Sequence, residues 1–94
     1  MLSEKAISKK GMPSMLRLAK QSRMKTDEII ATAHRFFGKG GEGLDETEHN
    51  PCCISFAGAG GYITVMVSEK ADQREVEVET REFEYQAKQF LGVL

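Results

Sequence analysis

Cysteine is scarce in this chain: two residues in 94, adjacent at Cys52 and Cys53. That is too few for a disulfide framework, and no Cys-x-x-Cys occurs. Long apolar runs are missing as well; none approaches the roughly 18 residues that a membrane-spanning helix needs. Lys5, Lys9 and Lys10 make the amino terminus basic, but no apolar stretch follows them, so the pattern of a secretory signal is absent. These absences predict no membrane partner and make the cytoplasm the default location.

What is present is a foldable mixture, 40% hydrophobic and 29% charged. Ninety-four residues predict a single domain over 1–94. A chain of this size buries somewhat over about 60% of its unfolded surface, enough for a core without staples. Candidates for that core are Leu2, Ile7, Met15, Leu16, Leu18, Ile29, Ile30, Phe36, Phe37, Ile54 and Phe56, with the later Val, Phe and Leu residues. The net charge of −1 hides an asymmetry. Residues 1–40 hold nine Lys/Arg against three acids, whereas residues 41–94 hold four against eleven. Halves that face each other, or simply solvated faces, are the ordinary explanation of such runs; nucleic acid for the basic half and a basic partner for the acidic half are the functional ones.

The amino-terminal part reads as helical. Ser3 can cap a short turn with a Leu2–Ile7 staple, ended by Gly11, although residues 1–12 are free to fray. After Pro13, Met15, Leu16, Leu18 and Ala19 recur at near-helical spacing to about Gln21. The clearest helix has Thr26 as its cap, Asp27 and Glu28 at the positive end of the dipole, and Arg35 at the other end. Its stripe is Ile29, Ala33 and Phe36 with Ile30 and Phe37 beside it, and Gly38 ends it. Residues 38–51, rich in glycine and acids, predict a long loop.

Beyond Pro51 the period changes to two. Cys53–Phe56, Tyr62–Val67 and Glu75–Glu79 alternate, separated by Gly58–Gly61 and by Glu69–Gln73. Ile54, Phe56, Ile63, Val65, Val67, Val76 and Val78 share one face; Cys53, Ser55, Tyr62, Thr64, Met66 and the row Glu75, Glu77, Glu79 share the other. From about Thr80 the spacing of Phe83, Ala87, Phe90, Leu91 and Leu94 predicts a closing helix; a strand continued through Tyr85 after a bulge is the alternative. The expected fold class is α+β, with N-terminal helices, a three-stranded antiparallel meander and a C-terminal helix packed on one face of the sheet.

No motif for catalysis stands out. Adjacent strand cysteines point to opposite faces, so Cys52 and Cys53 rarely reach one ion, and His34 and His49 complete no recognisable ligand set. His34 reads as a helix-rim residue and His49 as a solvated loop residue, with no carboxylate or nucleophile placed beside them by the sequence. Gly38–Gly41 lacks the Lys-Ser/Thr of a phosphate loop, and Gly58–Gly61 leads into a strand where pyrophosphate binding needs a helix. The glutamate row suits an edge or solvated face better than acid–base work. No metal and no cofactor are expected.

The strongest functional pattern is the order of elements: helices in a basic segment followed by a hairpin, the layout of a winged helix-turn-helix. Arg23 in the turn, acids at the start of the would-be recognition helix and the long glycine loop all count against it. The favoured expectation is a non-enzymatic binding or regulatory domain engaging a protein partner, or another copy of itself. The surface it would use is the mildly apolar patch Tyr62, Thr64, Met66, Ser55 and Cys53. A winged-helix-like nucleic-acid binder and a small-molecule-binding domain are the alternatives.

Overall fold

The computed structural model describes residues 15–58 and 60–94. The expected cap and staple at Ser3, Leu2 and Ile7 lie outside these residues. The elements are β1 (Leu16–Ser22), α1 (Thr26–Phe37), β2 (Asp45–Asn50), β3 (Cys53–Gly58), β4 (Gly61–Lys70), β5 (Gln73–Arg81) and α2 (Glu84–Gly92). All strands join one antiparallel sheet in the order β1-β5-β4-β3-β2. α1 packs on β3 and β4, α2 on β1 and β5.

The α+β class therefore holds, but the three-stranded meander with N-terminal helices is corrected to a five-stranded sheet with one helix between its first two strands. The segment Met15–Gln21, expected to be helical, contributes strand β1, which pairs with β5 in the register Leu18↔Val78. Its alternation is blurred because Lys20 takes an inward position beside Leu16, Leu18 and Ser22. The lysine stem lies along the apolar surface while its Nζ donates to the Leu91 carbonyl at 2.8 Å, satisfying a backbone acceptor at the end of α2.

The expected loop 38–51 contains β2, a strand with no apolar residue between Asp45 and Asn50. Backbone pairing to β3 holds it, and its charges and a register shift between Glu46 and Glu48 suit it to the sheet edge. Before it, Gly38 to Leu44 form a tight turn, with Gly43 N–H donating to the Gly38 carbonyl at 2.7 Å and Leu44 N–H to that of Phe37 at 2.9 Å. Leu44 is buried under this turn.

α1 forms where its apolar stripe was expected, burying Ile29, Ile30, Ala33 and Phe37. Thr26 is its first helical residue rather than its cap. Lys25 holds the cap position, and its N–H donates to the Glu28 carboxylate at 3.2 Å. The Thr26 hydroxyl instead donates to Glu69 at 2.9 Å. At the other end of the fold, the chain stays extended through Arg81, turns at Glu82 with φ of 80°, and enters α2 four residues later than expected. The core closes where Phe37 meets Phe56 and Phe90, at ring separations of 5.7 and 5.2 Å. Met15, a core candidate, is exposed.

Candidate functional site: an open sheet face and a histidine-lined groove

Among the described residues both helices lie on one side of the sheet, and side-chain alternation sends every second strand residue to the other, which no described element covers. Ile63, Val65 and Val67 of the central strand β4 are buried toward the helices. Tyr62, Thr64 and Met66 therefore face away, and the register carries that face across the sheet. One row runs Ala19–Glu77–Met66–Cys53–Asn50; the next runs Arg17–Glu79–Thr64–Ser55–Glu48. Tyr62 stands between Arg81 and Ala57. The structure thus brings Tyr62, Thr64, Met66, Ser55 and Cys53 together on one surface, each half-buried by its neighbours.

Polar contacts order part of this surface. Ser55 Oγ and Thr64 Oγ1 share a hydrogen bond of 3.0 Å. The Tyr62 hydroxyl donates to Glu79 at 2.8 Å, and Arg17 pairs with the other oxygen of Glu79 at 2.7 Å. The Glu79 hydrogen bond, followed by burial, raises the Tyr62 phenol above its ordinary pKa. Glu75 pairs with Lys70 at 3.2 Å. Glu77, between the other two glutamates and flanked across the strands by Ala19 and Met66, has no ion-pair or hydrogen-bond partner among the described residues.

Cys53 is a poor nucleophile here. Burial first, then the hydrogen bond and charge of the neighbouring Cys52 and the charge of Glu48, push its thiol up to about 11. Cys52 sits in the turn before β3, exposed, with its Sγ donating to Asn50 Oδ1 at 3.3 Å.

A second constellation lies on the helix side, beyond the flank of α1. Glu46 Oε1 is 3.0 Å from His34 Nδ1, and Glu46 Oε2 is 3.1 Å from His49 Nδ1. In a regular strand, residues three apart face opposite ways. The register shift after Glu46 changes the phase, so Glu46 opposite Phe56 and His49 opposite Ile54 both turn toward the helices. That irregularity supplies the carboxylate partner which the sequence did not place; the spacing Glu46-x-x-His49 alone carries no such signal. Each imidazole takes a different carboxylate oxygen and the ring centroids stand 6.4 Å apart, so the three groups form a bridge. Among the described residues, no group of three His, Cys, Asp or Glu side chains is arranged to hold a metal.

Between this bridge and the start of α1 runs a groove of about 600 Å³. Ile30 and Ala31 of α1 and Pro51 of the β2–β3 turn give it apolar walls, while Asp27, His34, Arg35, His49 and Asn50 complete the lining. No helix among the described residues is long and apolar enough to cross a membrane. Compared with models of protein families, with curated proteins and with solved structures, the chain matches none.

Proposed function

We propose that this chain is a non-enzymatic binding domain that holds a polypeptide partner on the open face of its sheet, with a lysine or arginine of the partner meeting Glu77. The observation that carries the reading is the state of Glu77: mid-row, half-buried and without a cation among the described residues, while Glu75 and Glu79 on either side are paired. A partially desolvated carboxylate of this kind gains from a charge-assisted hydrogen bond, worth about 1.5–3 kcal/mol. Met66 opposite it, and Tyr62 two rows further along the sheet, offer apolar area with a polar rim, the residue types enriched where proteins meet. The exposed bridge of His34, Glu46 and His49 has no Ser, Thr or Cys hydrogen-bonded to it among the described residues, which favours binding over nucleophilic chemistry. Nucleic acid is the weaker partner. The segment that the winged layout needs as a helix is β1, and α1 opens with Asp27 and Glu28, which repel phosphate.

The test is a panel of short synthetic peptides, half carrying Lys or Arg between apolar residues and half carrying Glu instead, with the protein's solution mass measured by light scattering. The reading expects binding by basic peptides alone, weakened about tenfold by Glu77→Gln. It also expects binding to be abolished by Tyr62→Ala with Met66→Ala in a variant that keeps its circular dichroism spectrum. Equal binding by the double variant, or a dimer whose mass falls to that of a monomer in the same variant, overturns the basic-partner reading; the second outcome names another copy as the occupant.

A further inference from the structure

We infer that the groove between α1 and the β2–β3 turn is a second binding site, separate from the open face, for a small amphipathic carboxylate: an apolar body with a single anionic head. Its volume of about 600 Å³ falls within the range of small-molecule sites. Ile30, Ala31 and Pro51 supply walls that suit a hydrocarbon body, and the small side chain of Ala31 leaves the space between them.

The ends of the groove differ in charge. Asp27 lies in the first turn of α1 and Arg35 in the last, eight residues and therefore about 12 Å apart along the axis. Neither makes an ion pair among the described residues. Arg35 offers a guanidinium fork matched to a carboxylate, and His34 and His49 stand at the same end with their Nδ1 atoms committed to Glu46. With Nδ1–H donating to Glu46, a neutral imidazole keeps only an acceptor at Nε2, so Arg35 is the donor that an anionic head would meet at this end. The Asp27 carboxylate repels an anionic head at the opposite end. One orientation follows: head at Arg35, body along Ile30 and Ala31 toward Pro51.

The site is tested by amide chemical-shift titration of the full chain with octanoate, octanol, octylamine and acetate as probes. Octanoate should produce saturable shifts centred on Ala31, Arg35, His49 and Cys52. Octanol should bind about tenfold more weakly, and acetate and octylamine should leave these amides unmoved. Arg35→Gln should remove the preference for octanoate over octanol. Ala31→Leu, at an exposed helical position where leucine is well tolerated, should block both. Octanol binding as tightly as octanoate, an unchanged preference in Arg35→Gln, or shifts centred on Tyr62 and Met66 would overturn the assignment. Shifts confined to the groove would leave the open-face reading untouched, because its lining includes none of Cys53, Ser55, Tyr62, Thr64, Met66 and Glu77.

Discussion

Two neighbouring residues of β4 give a sharp test of the sheet faces. Val65 is fully buried, opposite Ile54 on β3 and Val78 on β5, whereas Met66 is half-buried on the open face, opposite Cys53 and Glu77. Val65→Asp forfeits the transfer energy of a buried valine, about 1.5 kcal/mol or more. It also places a carboxyl where nothing waits to pair with it. At pH 7 the cheapest response is to protonate it, which costs about 4 kcal/mol for a group with an ordinary pKa near 3.9. The neutral carboxyl then lacks hydrogen bonds, adding about 1–3 kcal/mol. The total, about 7 kcal/mol, rivals the whole stability of about 5–14 kcal/mol expected for a domain of this length. Met66→Asp loses the contacts of a half-buried methionine and meets the like charge of Glu77, costing about 1–2 kcal/mol. Urea denaturation followed by circular dichroism should find the first variant unfolded or nearly so at pH 7 and the second folded. Because the buried carboxyl holds its proton more tightly than the unfolded chain does, the Val65 variant should recover relative to the parent as pH falls toward 4. Equal losses at the two positions, or no recovery at low pH, would refute this assignment of the faces.

Three further outcomes follow from local geometry. A Cβ at Gly61 would collide with the Arg81 carbonyl and the Glu82 side chain, so Gly61→Ala should cost about 1–3 kcal/mol in thermal unfolding; Gly40→Ala, with nothing within 4 Å, should cost far less. Ultraviolet titration should place the Tyr62 midpoint above the ordinary phenol value of about 10, and Glu79→Gln should lower it. The folded state favours the neutral phenol, so this contribution to stability is complete below about pH 10 and is lost as pH rises through the folded midpoint. Iodoacetamide at pH 8 should modify exposed Cys52 well before Cys53, whose thiol is pushed up to about 11; equal rates in the folded protein would contradict that burial.

The alternation of β3, β4 and β5 was legible because each of these strands has a dry and a wet face, and period two is then written into residue type. Their faces, including the five residues of the candidate surface, could be separated from Ile54, Val65 and Val78 alone. β1 was misread because Lys20 and Ser22 occupy inward positions, leaving only Leu16 and Leu18 to mark the period, and Ala19 completes an equally good helical spacing. β2 offered no signal of this kind. Its side chains are polar on both faces, and what holds it is backbone hydrogen bonding, which residue type does not encode. The partnership of His34, Glu46 and His49 was hidden for the same reason, since it depends on β2 existing and on an irregularity within it. The terminal helix was legible in its stripe but not at its start, because the change of phase is made by Glu82 in a backbone conformation that sequence rarely announces outside glycine.

The claim on which the functional reading turns is that a basic polypeptide lies across the open face. The most direct measurement is an amide chemical-shift map of the full chain titrated with the tightest Lys- or Arg-bearing peptide from the panel. The account predicts saturable shifts at Cys53, Ser55, Tyr62, Thr64, Met66 and Glu77, lost on adding salt as the Glu77 pair is screened. Shifts centred on α1 or on the outer strands β1 and β2, or saturable binding that leaves those six amides unmoved, would contradict it.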